Sequence, residues 1–248
     1  MTVFLVGAGP GDPGLLTRRA SALLRTADVV VFDRLVDPRI VALAPRGTQR
    51  FDVGKGIGRG ESEKQESINQ LLVRCAAEHD VVVRLKGGDP FLFGRGGEEV
   101  AALIDAGVHV EIVPGVSSAL AVPAAAGIPL TYRDVASAVV IVTGHEVVDA
   151  RFDWTLAAHD AVTVVVLMGM AQRRAIRDAL VGAGRPRDTP VAVIEWGTTD
   201  RQQVVISTLD QLDLVALCPP CVIVIGKVVG LRPAEGASAL QPPISLVS

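Results

Sequence analysis

The stretch DVVVRLKGGDPFLFGRGGEEVAALIDAGVHVEIVPG, residues 80–115, decides the fold class. It opens with Asp80–Lys86, a β-branched run that reads as a strand buried on both faces. Five glycines follow within the twelve residues Lys86–Gly97. Gly97–Ala106 then carries apolar residues at helical spacing, and Val108–Val113 is a second strand that stops at Pro114-Gly115. Strand, glycine loop, helix and strand make a βα unit with parallel strands.

The same alternation extends to both sides. Val3–Gly7 is a strand entering a Gly/Pro loop, Leu15–Ala27 has helical spacing, and Asp28–Asp33 is a strand. Glu61–Glu78 reads as a helix with Ile68, Leu71, Leu72 and Cys75 on one face. From Ser117 the pattern shifts. An Ala-rich helix, Ser117–Gly127, precedes five strand-like runs: Ala138–Thr143, Ala161–Met168, Val191–Glu195, Val204–Ser207 and Cys221–Val228. Helical segments at Asp153–Ala158 and Gln172–Ala183 lie between them. More strands per residue predict a mixed sheet here. The expectation is an α/β fold of two α/β domains, residues 1–114 and 115–232, followed by a Pro/Ala/Ser-rich flexible tail, 233–248.

Composition bounds the function. The 248 residues are 49% hydrophobic and 21% charged, with mean hydropathy +0.41. A chain of this size buries about 70–75% of its unfolded surface, so it needs no staples. No run reaches the ~18 apolar residues that cross a bilayer. The densest, Ala161–Ala171, is interrupted by Thr163 and Gly169. Val3–Val6 is too short for a signal peptide, so no membrane role and a cytoplasmic location are expected. A net charge of −3 and aromatics at 4% argue against nucleic-acid binding. Cys75, Cys218 and Cys221 make no disulfide framework. Cys218-Pro-Pro-Cys221 precedes a strand rather than a helix and lacks a second C-x-x-C, so neither redox chemistry nor zinc is expected, and no metal. Twenty of the 24 cationic side chains are Arg, a bias that fits either genomic composition or multidentate binding of carboxylate or phosphate.

Four loops are candidates for chemistry. Gly7-Ala8-Gly9-Pro10-Gly11-Asp12-Pro13-Gly14 follows a strand but matches neither G-x-G-x-x-G nor the P-loop. It is a ligand loop of another kind or a tight turn. In Lys86–Gly97 the glycines allow close backbone approach, and Asp89 is either a ligand acceptor or a helix cap. Asp33-Arg34 ends an apolar strand, where the carboxylate is a general base or Arg34's partner. Val53–Gly60 sets Lys55 and Arg59 among glycines, as an anion-binding segment or a solvated loop. His145, after another strand, is a weak isolated signal.

Taken in order, VGAGPGDPGLLT (6–17), DVVVFDRLV (28–36), VGKGIGRGES (53–62), VVRLKGGDPFLFGRGGEE (82–99), VPGVSSALAVPAAAGIPLTYR (113–133), VTGHE (142–146) and VLMGM (166–170) resemble the tetrapyrrole methylase family. The resemblance covers residues 3–231, and GGDPFLFGRGGEE is its most specific motif. It implies two α/β domains with the active site in the cleft between them, and a homodimer. It further implies S-adenosylmethionine as methyl donor and S-adenosylhomocysteine as product. Motif by motif, the donor-binding residues would be Pro10, Gly87, Gly88, Asp89, Leu92, Ser117, Ser118, Met168 and Gly197. Asp33 would accept a proton and Lys55 donate one. The DRL motif with a following GK points to C-methylation of uroporphyrinogen III at C2 and C7, giving precorrin-2. The alternatives are another precorrin methyltransferase of this fold or a non-catalytic tetrapyrrole-binding module. The substrate carries eight carboxylates, so a net-acidic protein must concentrate cations locally. Arg34, Arg59, Arg84, Arg95 and Arg133, with Lys55, are the candidates. The chain departs from the family pattern at Gly56, Ser117, Tyr132 and Trp196.

Overall fold

A computed structural model of the chain describes residues 1–54, 61–144 and 152–233. The chain divides into two compact units after Ser117. That lies three residues beyond the expected break after residue 114. Pro114 and Gly115 go with the first unit because Gly115 is wedged against its backbone: a Cβ there would sit 2.2 Å from Gly88 O and 2.7 Å from Gly7 Cα.

The first unit runs β1 (Thr2–Gly7), α1 (Arg18–Leu24), β2 (Val29–Phe32), α2 (Pro38–Val41), β3 (Gln49–Asp52), α3 (Glu61–Glu78), β4 (Val81–Lys86), α4 (Gly96–Asp105) and β5 (His109–Val113). Its five strands are parallel in the order β3-β2-β4-β1-β5. One face packs on α1 and α2, through Ala20, Leu24, Ile40 and Val41 against Val6, Val30, Val83 and Leu85. The other packs on α3 and α4, through Ile68, Leu72 and Leu103 against Val3, Leu5, Val29 and Val82. Burial on both faces is what the near-continuous apolar strands require. The chain leaves β1 and the adjacent β4 in opposite directions across the sheet, so a switch point lies between them, where ligands of open α/β sheets bind.

Two elements carry no clear signature in the sequence. β3 is a polar edge strand whose first two residues are exposed, so it lacks an apolar pattern. α2 is a single turn, capped by Asp37 with Pro38 at its first position, a start signal too short for periodicity to register. The helix expected over Leu15–Ala27 begins only at Arg18, because Thr17 caps it by accepting from Ala20 N.

The second unit contains α5 (Ser118–Ala125), β6 (Ala138–Thr143), α6 (Thr155–Ala158), β7 (Val162–Leu167), α7 (Arg173–Gly182), β8 (Pro190–Glu195), β9 (Gln203–Thr208) and β10 (Cys221–Ile225). Its sheet has the order β6-β7-β10-β8-β9. Only β6 and β7 are parallel neighbours, so the sheet is mixed. Ile176 and Leu180 of α7 seal one face against Val164, Val166, Val193 and Ile223. The last strand stops at Ile225, short of the expected Val228, because Gly226 turns the chain at φ 152° into a 3-10 helix, Lys227–Leu231. No described helix is long and apolar enough to cross a membrane.

Candidate active site

The carboxyl ends of β1, β2, β4 and β5 bring the first unit's candidate residues to one edge. There the two glycine loops are stitched by their backbones. Gly88 N donates to Gly9 O at 2.7 Å, Gly9 N to Gly88 O at 3.2 Å, and Ala8 N to Lys86 O at 2.7 Å. A Cβ at Gly7 would lie 2.5 Å from Gly115 Cα and 2.6 Å from Gly88 O. Three loops therefore meet backbone to backbone, which only glycine allows.

Asp89 ties this junction together. Its Oδ1 accepts from Phe91 N at 2.9 Å, and its Oδ2 accepts from Gly115 N at 3.0 Å. Two of its roughly four acceptor sites are thereby used, and two remain for a ligand hydroxyl or amine. It neither caps a helix, one of the expected alternatives, nor points away: Arg95 occupies the N-cap of α4, at φ 56°. Gly87 is exposed, and a Cβ there would meet only Leu35 Cβ, at 3.9 Å, so its backbone faces open space. Pro10 and Leu92 are half-buried nearby in sequence, and Phe93 is held at φ 54°. Non-glycine residues at positive φ cost about 1–3 kcal/mol each and persist where surrounding structure enforces them.

Asp33 follows β2 at the same edge, its N donating to Leu85 O at 3.3 Å. It does not pair with Arg34, which is exposed; it pairs with Arg84, whose Nη2 donates to Asp33 Oδ1 at 2.6 Å. Arg84 is 2% exposed, which corrects the expectation that it offers its guanidinium to a substrate carboxylate. Its Nε and Nη2 each lie 3.0 Å from Glu99 Oε1. Lys86 Nζ reaches the same oxygen at 3.0 Å, and Gln65 Nε2 at 3.3 Å. Glu99 is fully buried, and its Oε2 has no hydrogen-bond partner among the described residues.

Val82, Arg84 and Lys86 share one face of β4, so both cations enter the layer beneath α3 and α4. Two cations and two carboxylates balance there. Burial works against the Arg84 charge, but Asp33 and then Glu99 more than offset it and hold its pKa above the ordinary arginine value. For Lys86 burial dominates, Arg84 adds repulsion, and Glu99 and Asp33 offset them only partly, so its pKa lies below the lysine range. Sequence reasoning missed Glu99, Gln65 and the role of Lys86. The available signal was a pair of charges two residues apart inside an otherwise apolar strand.

Arg95 makes a two-pronged pair with Glu98, at 3.0 and 2.9 Å, on an exposed turn. Arg133 is exposed in the second unit, in the turn closed by Tyr132 and Ala136. Lys55, Arg59 and His145 lie outside the described residues, as do residues 234–248 of the expected tail.

In the second unit Ser118 opens α5, next to the buried Ser117 that closes the first. Met168 and Gly197 follow β7 and β8, which run the same way because each is antiparallel to β10. Met168 is exposed at φ 55°. Gly197 sits between Trp196 at φ 47° and Thr198 at φ 68°, and a Cβ there would meet Val122 Cγ1 at 2.3 Å. The Arg201 guanidinium stacks 3.5 Å from the Trp196 ring centroid. Three strained residues at one sheet edge mark it as a second candidate ligand surface.

The Cys218–Cys221 pair is reduced, with the Cys221 thiol donating to Cys218 O at 3.0 Å. Among the described residues no cluster of His, Cys, Asp and Glu is placed to hold a metal ion.

Comparison with known proteins matches this architecture. The chain is 48% identical over 232 residues to siroheme synthase 2 of Klebsiella pneumoniae, covering 93% of this chain and 50% of that protein. It thus spans about half the length of several curated relatives it matches. It is 44% identical over 247 residues to the uroporphyrinogen-III C-methyltransferase of Synechocystis, covering 97% of this chain and 93% of that one. The crystal structure of uroporphyrin-III C-methyl transferase from Thermus thermophilus complexed with S-adenyl homocysteine superposes with a TM-score of 0.81 at 41% identity, covering 96% of this chain and 97% of that one. The family model described as tetrapyrrole (corrin/porphyrin) methylases matches residues 2–213. With its glycine-stitched sheet edge and a family model matching residues 2–213, the chain belongs to the tetrapyrrole methylases.

Proposed function

We propose that this chain methylates uroporphyrinogen III at C2 and C7, using S-adenosylmethionine, and yields precorrin-2. The observation that carries this reading is the junction of the Gly9 and Gly88 loops with Asp89 at its centre and Asp33 at the same sheet edge. The open backbone at Gly87 and the spare acceptor sites of Asp89 suit a ribose and an amino-acid group. The likeness to a methyltransferase complexed with S-adenyl homocysteine supports the same donor.

When bound, S-adenosylmethionine supplies a sulfonium-activated methyl group. The chain's own residues position and handle protons. Pro10, Gly87, Gly88, Asp89, Leu92, Ser117, Ser118, Met168 and Gly197 bind the donor. Orienting the two reactants contributes about 7–11 kcal/mol to lowering the barrier. Asp33 accepts the proton released after carbon–carbon bond formation, which adds about 10²–10⁴-fold, and Lys55 acts as proton donor. Arg34, Arg59, Arg95 and Arg133 meet the substrate carboxylates. The reading includes a homodimer in the cytoplasm and no metal.

The test is anaerobic incubation with uroporphyrinogen III and S-adenosylmethionine, followed by mass spectrometry of the tetrapyrrole. A gain of two methyl groups is expected. No gain, with the donor still binding in a calorimetric titration, refutes this substrate and moves the assignment to a later precorrin. Loss of donor binding as well refutes the methylation reading altogether.

A further inference from the structure

The Arg84 cluster is too buried to meet a substrate and too costly to be incidental. Taking charges out of water costs several kcal/mol per ion, and such groups are kept only when well paired. Here the pairing converges outward. Gln65 of α3, Lys86 of β4 and Arg84 all donate to one oxygen of Glu99 on α4. Gln65 also donates to Asn69 Oδ1 at 3.1 Å, which fixes its amide. Arg84 is thereby held through Nε and Nη2 on one side, and its Nη2 projects to Asp33, whose side chain is 35% exposed at the end of β2. Within this cluster, Asp33 is the member that reaches solvent.

We propose that Arg84, anchored by Glu99, is a positioning residue that aims the Asp33 carboxylate for proton acceptance. The inference rests on the reading of Asp33 as proton acceptor. A planar guanidinium suits this role, because one edge engages Glu99 while a nitrogen of the same rigid group holds Asp33. A lysine at position 84 would offer a single point charge to two carboxylates. Lys86 supplies the second cation that Glu99 needs, so that Glu99 does not compete Arg84 away from Asp33.

The experiment is a double-mutant cycle in the full chain, assayed with uroporphyrinogen III and S-adenosylmethionine. Arg84→Met is expected to lower kcat by about 10- to 100-fold, the cost of a misplaced reacting group, with both KM values held within about twofold. In an Asp33→Asn background the same substitution is expected to cost almost nothing further, because a residue that acts through Asp33 has nothing left to act on. Glu99→Gln, which keeps length but withdraws the anchoring charge, is expected to lower kcat in the same coupled way. Arg84→Lys serves if the methionine variant fails to fold, with a smaller loss that again vanishes beside Asp33→Asn.

A rise in the KM for uroporphyrinogen III with kcat intact would make Arg84 a substrate contact and overturn the proposal. Equal losses in both backgrounds would overturn it as well, while leaving Asp33 as proton acceptor. If Asp33→Asn alone keeps the full kcat, the proton-acceptor reading falls, and the positioning role falls with it.

Discussion

Gly115→Ala puts the strongest load on the junction of the three loops. The added methyl would lie 2.2 Å from Gly88 O, more than 1 Å short of the 3.4 Å at which ordinary contact begins, and 2.7 Å from Gly7 Cα. Both neighbours are backbone, so no side chain can swing away. The loops must part, which strains the Gly9–Gly88 pair and the Gly115 N to Asp89 Oδ2 bond. Overpacking and the lost charge-assisted hydrogen bond together cost about 3–5 kcal/mol. For a unit of this size that lowers Tm by roughly 10–20 °C. Gly97→Ala is the control. A Cβ at Gly97 meets nothing within 4 Å, and the position lies in the first turn of α4, so the change is neutral or stabilising by up to about 1 kcal/mol. Urea unfolding is followed by far-UV circular dichroism and by tryptophan fluorescence. Trp154 and Trp196 both lie in the second unit, so fluorescence reports on that unit. The circular-dichroism transition of Gly115→Ala should move to lower urea. A variant within about 0.5 kcal/mol of wild type, or an equal loss in Gly97→Ala, refutes the reasoning.

Two further outcomes follow from buried titrating groups. Because burial holds Lys86 below the lysine range, the folded chain binds fewer protons than the unfolded one between that depressed value and the ordinary value of about 10.4. Stability conferred through this residue therefore rises with pH across that window, and Lys86→Met should flatten the rise in urea midpoint; an unchanged slope refutes it. Burial, then Glu195 and Cys218, push the Cys221 thiol up to about 12, and burial also raises Cys75. Iodoacetamide near neutral pH should thus add one group to the native chain, at the exposed Cys218; labelling of Cys221 without denaturant would refute this.

Much of the fold was legible because its signals are local. Val29–Phe32, Val81–Lys86 and Val162–Leu167 are β-branched runs of strand length, and Glu61–Glu78 repeats its apolar face with the helical period. The edge strand Gln49–Asp52 escaped because an edge needs no apolar face on its solvent side. Of the site, Asp89 and the glycine loops were visible as residue types out of keeping with a plain turn. Their pairing was not, since Gly9 and Gly88 are brought together only by β1 lying beside β4.

Arg84 marks the limit of the one-dimensional reading. In sequence it is a cation near a glycine loop, equally suited to a substrate carboxylate or to an internal partner. The sequence by itself determined that two α/β units exist, where all their strands but the polar edge strand Gln49–Asp52 fall and which loops are built for close approach, because periodicity and glycine placement act over a few residues. Only the tertiary structure decided which charges are spent inside. Asp33 and Arg84 are 51 residues apart in the chain, and Gln65 and Glu99 are 34 apart. Whether a guanidinium faces water or a carboxylate depends on what packs over it, and that is set by the whole sheet and the helices α3 and α4 together.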